Sequence, residues 1–326
     1  MFNYAVRRTL QAIPLLLLIS IILFGILSYM PGGGPLAPYL SNPHITEADI
    51  VRLKHNFGLD QPIPIQYLHW LGSVVHGDFG YSTTNSESVL TALTDRMRNT
   101  VTLMSCSLIL ALVVGMGLGL YSAIKPYTIG DYGITLLAFF GQSMPVFWLA
   151  LMLQLGLAVN GIPVGFGYRI QLPSSGIASD MDVFHLSDYA AHLVLPTLVL
   201  SFLSLALFSR FTRSSMLEVL RTDYIRTAAA KGLSQGTVVF KHGLKNGLIP
   251  LVTIVALSMP SLVGGAIVTE TIFAWPGMGR AFFNALQQGD IAFLMGYLCL
   301  VSLLVVFFNI FADVAYAWLD PRVKYD

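Results

Sequence analysis

Six long apolar runs, separated by polar stretches of unequal length, dominate the chain. They cover approximately Leu10–Met30, Val101–Ile124, Ile134–Val159, Ala191–Phe208, Leu248–Phe273 and Ala292–Trp318. A helix needs about 20 apolar residues to cross the hydrocarbon core of a bilayer, and each run meets or approaches that length. Membrane β-strands are about 10 residues long and alternate in polarity, so these runs are too long and too uniform for a barrel. The first run ends in Met30-Pro31-Gly32-Gly33-Gly34 with no small-residue cleavage site, and it reads as a retained span rather than a signal peptide. The pattern predicts an all-α integral membrane protein with six transmembrane helices.

The polar stretches carry their own patterns. Between Pro31 and Asn99, Thr46 and Asp49 form a capping-box variant ahead of Ile50, Leu53 and Phe57 on one helical face, and Gly58 stops that helix. Pro64 suits the first turn of a second helix, with Ile65, Leu68, Leu71 and Val75 as its stripe up to Gly77. Two short amphipathic helices fit this region, lying on the outer bilayer surface or capping the spans as a lid or docking platform. Residues Glu87–Arg98 lead helically into the second span. In Asn160–Tyr189, turn chemistry from Gly, Pro and Ser predicts no regular element beyond one turn of helix.

Composition agrees with the apolar pattern: 55% of the 326 residues are hydrophobic and 11% charged, with a mean hydropathy of +0.70. Soluble domains carry about 25% charged residues. With the N-terminus inside, 12 of the 18 Lys and Arg fall on the inner side and six on the outer. Basic residues in short loops stay cytoplasmic, so both termini are expected there. The net charge of +1 gives no reason to expect nucleic acid as a partner; the bilayer is the expected partner. Cys106 and Cys299 lie inside predicted spans as small apolar side chains.

No catalytic or metal signature stands out. The chain lacks G-x-x-x-x-G-K-[ST], H-E-x-x-H and G-x-S-x-G, so it is not expected to hydrolyse ATP. His69 and His76 have no third ligand in view. The informative polar segment is instead Tyr224–Pro250, YIRTAAAKGLSQGTVVFKHGLKNGLIP, set between two apolar runs. Glu218–Leu233 is predicted as a helix broken at Gly232, and Ser234 as the cap of a second helix running to Asn246. Ala228, Ala229 and Ala230 offer a small-residue patch ringed by Arg226, Lys231 and Lys241, suited to docking in a partner's groove. Pro145, Pro196, Pro250 and Pro260 can kink the spans, while Gly115, Gly117, Gly119, Gly264 and Gly265 allow close approach or hinging. Two carboxylates fall within spans, where charge is costly. Glu270 is expected either to gate or to cap a helix break before Trp275-Pro276-Gly277, and Asp313 to pair with Arg7 or Arg8.

The Arg226–Leu233 segment resembles the coupling motif of type I ATP-binding-cassette (ABC) importer permeases, usually written E-A-A-x-x-x-G. Gly232 matches its glycine and Ala228 its second alanine, while Arg226 and Thr227 replace the Glu and first Ala. R-T-A-x-A-K-G-L is the variant of the dipeptide, oligopeptide and nickel branch. RRTLQAIPLLLLIS, GLDQPIPIQYLHWLGSVVHGDFGYS, TETIFAWPGMGRAF and LDPRV are similar to the same branch and extend the likeness to nearly the whole chain. The turn MPGGGP departs from the branch, which more often has an acidic residue after P-G.

The resemblance implies a type I permease fold with an extracytoplasmic helical insertion after the first span. Residues 1–30 would be that span, 31–95 the insertion, 96–318 the core with a coupling loop at 210–247, and 319–326 a cytoplasmic tail. It implies a multi-pass protein of the bacterial cytoplasmic membrane, paired with a homologous second permease. Two ABC ATPase subunits would bind ATP and Mg, leaving no cofactor in this chain, and an extracytoplasmic solute-binding protein would deliver cargo. Coupling is expected from Arg226, Thr227, Ala228, Ala229, Ala230, Lys231, Gly232, His242, Asn246 and Pro250. Gate or pathway candidates are Glu270, Trp275, Pro276, Gly277, Pro145 and Phe147, with Phe139, Phe140 and Trp148 added by position. The expected cargo is di- or oligopeptide, with nickel chelates, glutathione or another small solute as alternatives. A secondary transporter is a remote one, because no inverted repeat or midplane ion ligand is evident.

Overall fold

Apolar helices account for nearly all of the architecture of the computed structural model, which describes residues 2–28, 36, 44–56, 58–84, 87–165, 168–179, 185–259 and 264–319. The helices are α1 (Phe2–Ser28), α2 (Glu47–Asn56), α3 (Ile63–Val75), α4 (Val89–Ile124), α5 (Ile129–Ser143) and α6 (Val146–Leu153), the last passing into a π-helical turn, Gln154–Val159. They continue as α7 (Leu186–Val219), α8 (Asp223–Ala230), α9 (Gln235–Gly247, with a π-helical centre at Val238–Gly243), α10 (Ile249–Ser258), α11 (Ile267–Ile272), α12 (Met278–Gln288) and α13 (Ile291–Leu319). By length and apolarity α1, α4, α7 and α13 can each cross a bilayer, and six crossings result if α5–α6 and α9–α10 each count as one.

Several expectations change here. The third run is not a straight helix: α5 and α6 meet at 108°. Proline disfavours helical backbone in the residue before it, and Met144 and Pro145 are both extended, with ψ of 128° and 131°. Pro196, by contrast, lies inside an unbroken α7, and Pro250 occupies the first turn of α10, where its missing N–H costs nothing. The fifth run is interrupted between α10 and α11, where Gly265 takes φ +76°; Pro260 lies outside the described residues. Asn160–Tyr189 contains a two-stranded hairpin, β1 (Ile162–Gly165) antiparallel to β2 (Tyr168–Ile170). Turn residues had masked its short β-branched and aromatic runs.

The principal helix seam joins α4 to α7. A Cβ on Gly119 would stand 2.4 Å from the Ser209 carbonyl oxygen, and one on Gly115 would stand 3.0 Å from that of Leu205. Gly117 faces open space, so two of the three glycines of this stretch set the close approach. At one end of the bundle Phe24, Val89, Leu93, Met278, Leu294 and Tyr297 form a core that draws α1, α4, α12 and α13 together. The Thr46–Asp49 capping box is present: each backbone N–H donates to the other's side chain at 3.2 Å. The Thr46 donors hold the Asp49 carboxyl below its ordinary range. Residues 210–219 belong to α7, and the 95/96 boundary falls within α4.

Candidate functional site

The segment expected to couple is built from two short helices beside the end of α7. The predicted helix Glu218–Leu233 breaks earlier than expected, at Leu220–Thr222. Thr222 adopts extended backbone, ψ 154°, and its hydroxyl donates to the Val219 carbonyl at 2.6 Å. A fresh helix, α8, then starts at Asp223. It ends at Ala230, and Gly232 follows with φ +81°, its N–H donating to Ala229 O at 3.0 Å. That left-handed conformation is open to glycine and strained for most other residues. Ser234 caps α9 as expected, accepting from Thr237 N.

The three alanines do not share one face. Ala228 is buried with Ile225 and Val238, against Val219 and Leu220, and so fastens α8 to α9 and to the foot of α7. Ala229 and Ala230 are exposed, together with Arg226, Thr227, Lys231 and Gly232. Arg226 makes an exposed ion pair with Asp223 at 3.3 Å. Asn246 donates to the Tyr224 hydroxyl at 2.9 Å, tying α9 back to α8. His242 is half-buried, and Pro250 is exposed. Gly243 and Gly247 lie against Met216, and Ser215 donates to the Gly247 carbonyl at 2.8 Å. The result is an elbow with Tyr224, Leu233 and Phe240 exposed on it.

The second constellation surrounds Glu270. Its side chain has no solvent exposure. It accepts from the Thr100 hydroxyl at 2.9 Å, from Arg280 N at 2.9 Å and from Ala266 N at 3.3 Å. Arg280 is the third residue of α12, so Glu270 caps that helix from outside it, where negative charge complements the helix dipole. Met278 N donates to Thr100 Oγ1 at 2.8 Å. A Cβ on Gly277 would lie 2.5 Å from the Glu270 carboxyl carbon; only glycine leaves room for the cap. Trp275 is fully buried, donating Nε1–H to Asn99 O at 3.1 Å, while Asn99 donates to Pro276 O at 2.9 Å. The Tyr189 ring of α7 packs on Trp275 with centroids 5.7 Å apart. The cap falls on the helix that follows Trp275-Pro276-Gly277 rather than on a break before it.

Other expected residues do not join this knot. Pro145, Phe147, Phe139, Phe140 and Trp148 are exposed around the α5–α6 bend. Asp313 and Arg8 have side chains outside the described residues, as do the turn MPGGGP and the tail beyond Leu319. Sequence reasoning missed two buried carboxylates. Asp131, with a side chain 2% exposed, takes a bidentate pair from Arg213 at 2.7 and 2.8 Å, joining α5 to α7. Thr128 and Asp131 form a T-x-x-D helix start, the signal that marks it. Asp290 caps α13 through Phe293 N at 3.0 Å and accepts from Ser82 Oγ at 2.6 Å. A Gly-Asp pair directly ahead of an apolar run was its trace.

A bundle of helices long and apolar enough to cross a bilayer is that of a polytopic membrane protein. Residues 115–325 match the family described as binding-protein-dependent transport system inner membrane component, and residues 1–104 match the N-terminal model of such membrane components. The chain belongs to this family, as a multi-pass permease subunit of the inner membrane. It is 42% identical over 326 residues to the oligopeptide transport system permease protein AppB of Bacillus subtilis, covering all of both chains. It is 37% identical to the dipeptide transport system permease protein DppB of Alkalihalophilus pseudofirmus, again over all of both chains. Against DppB of Escherichia coli K12 the identity is 35%, over all of this chain and 99% of the other.

Proposed function

We propose that the chain is one of two permease subunits of an ABC importer and moves di- or oligopeptides into the cell. The names of its relatives supply the cargo class. In this reading six spans cross the membrane, counting the bent α5–α6 as one and the run through α10 and α11 as another, with α9 in the cytoplasmic loop. Both termini are cytoplasmic, 31–95 is an extracytoplasmic insertion, and 96–318 is the core. A homologous permease completes the path, a binding protein delivers peptide from outside, and two ABC ATPases bind and hydrolyse ATP with Mg below.

The observation that carries the mechanism is the elbow of α8 and α9. The exposed Ala229, Ala230 and Gly232 offer a small-residue surface that a helix-sized groove can admit closely, and Arg226 and Lys231 flank it for pairing with carboxylates. Closure of the ATPases on ATP would push this elbow, and the push would rearrange the spans into the alternate-access state. Glu270, Thr100, Trp275 and Gly277 would hold the opposite end of the path as a rigid unit, with the exposed Pro145 and Phe147 beside it.

Two experiments test this reading. A cysteine at Ala229, with the native cysteines removed, should crosslink to the ATPase subunit in the assembled complex. Cells lacking the gene should lose uptake of labelled di- and tripeptides and recover it on complementation. Crosslinking without peptide uptake would leave an importer of another solute; peptide uptake that never yields the crosslink would remove α8 as the coupling element.

A further inference from the structure

We infer that α3 is an interfacial helix whose outward apolar sector is seated in the outer leaflet of the bilayer, so that lipid and not protein covers it. The helix carries no Asp, Glu, Lys or Arg along its 13 residues, IPIQYLHWLGSVV. Successive residues turn by about 100°, which divides its surface into three sectors. Tyr67 and Trp70 pack inward on Phe24 of α1, with centroids 5.6 and 5.7 Å away. Ile65, Leu68, Gly72 and Val75 share an outward apolar sector, in which Leu68 is 63% and Val75 74% exposed. His69, Ser73 and His76 share the next sector and are also exposed. Of the stripe read from the sequence, Ile65, Leu68 and Val75 are therefore turned away from the protein, and Leu71 is half-buried.

Depth decides what meets that apolar sector. The Tyr67 hydroxyl is 2.8 Å from Ser20 Oγ, and Ser20 and Phe24 both lie within Thr9–Ile26, the apolar stretch of α1. An α-helix rises 1.5 Å per residue, so Ser20 is about 9 Å along the axis from Ile26, inside the hydrocarbon end. A helix anchored there by a tyrosine hydroxyl and a tryptophan sits at the boundary of acyl chains and headgroups, the depth favoured by interfacial helices. Ile21, Ile22 and Ile26 of α1 are bare on the same stretch, and the apolar sector of α3 continues that lipid-facing surface. Charged residues come only beyond its ends, at Asp60 and at Asp78, the latter just past the Gly77 turn of φ +83°.

The test uses the full transporter in liposomes, with Cys106→Ala and Cys299→Ala as background. Nitroxide labels at Leu68→Cys and Val75→Cys should show an oxygen-to-nickel-chelate accessibility ratio several-fold above that at Ser73→Cys, and similar to that at Ile22→Cys. Nickel access at the first two sites equal to that at Ser73→Cys would place the sector in water and overturn the inference. So would shielding from both reagents, which means a neighbouring permease covers it, or a several-fold change on adding the binding protein. The inference rests on an extracytoplasmic 31–95. Reaction of Ser73→Cys with an impermeant thiol reagent in intact cells reads that side separately, so a wrong orientation and a wrong depth give different results.

Discussion

Replacing Glu270 by glutamine changes one oxygen to an NH2 group while keeping shape, and the surrounding donors make its effect calculable. Every described partner of the Glu270 carboxylate is a donor: the Thr100 hydroxyl, Arg280 N and Ala266 N. A carboxylate accepts at both oxygens, whereas an amide accepts at only one. With its nitrogen toward Arg280, glutamine opposes the N–H that starts α12. Turned the other way, it opposes the Ala266 N–H, while the Thr100 hydroxyl can rotate to accept from it. Either placement strands at least one buried donor, at a cost of about 1–3 kcal/mol. That cost corresponds to about 5- to 150-fold in the equilibrium for opening the cap. Hydrogen exchange of the amides in the first turn of α12, measured on the intact complex, should therefore accelerate by a factor in that range. Exchange unchanged within twofold would refute the capping argument. Peptide uptake and ATPase stimulation measured on the same variant separate a gate from a brace: wild-type values beside faster exchange would leave Glu270 a structural role only.

Three further outcomes are expected. Gly119→Ala forces a Cβ to 2.4 Å from Ser209 O and should destabilise the complex by about 1–3 kcal/mol, read as a lower thermal midpoint, whereas Gly117→Ala, which meets nothing within 4 Å, should not. Arg213→Ala leaves Asp131 the Tyr127 N–H but removes its bidentate partner and should cost about 1–3 kcal/mol, read as a lower thermal midpoint; adding Asp131→Ala should change that midpoint by less than the two single losses summed. Gly232→Asp should insert normally but lose transport and bind the ATPase poorly, while Gly232→Asn, which tolerates φ near +81° and adds no charge, should retain more of both when uptake and co-purification are measured.

Much of this was legible from residue order alone, because span-length apolar runs and punctuating residues act locally. The capping box at Thr46, the cap at Ser234 and the turn at Gly232 are set within four residues of themselves, and each appears where expected. Facing was harder to read. Whether Ala228 or Ala229 points inward depends on where α8 begins, and that is set by Thr222. The stripe of α3 left two settings open, the bilayer surface or a cap over the spans, because apolar periodicity marks a buried face without saying whether protein or lipid buries it. The Glu270 cap joins residues 170 positions apart through Thr100, and no local pattern encodes such a meeting. Asp131 and Arg213, 82 positions apart, were hidden for the same reason.

Helix α7 runs without interruption over 34 residues, a rod about 50 Å long at 1.5 Å per residue. One tip bears Tyr189 against Trp275, and the other shares the Val219 and Leu220 contacts of Ala228. Helical through Pro196, such a rod would pass on a shove by tilting or sliding as one piece. Displacement at the Leu220 foot would then reappear at the far tip, reversed in direction if the rod pivots about the tight glycine crossing with α4. The two ends of the passage would be opposite arms of one seesaw.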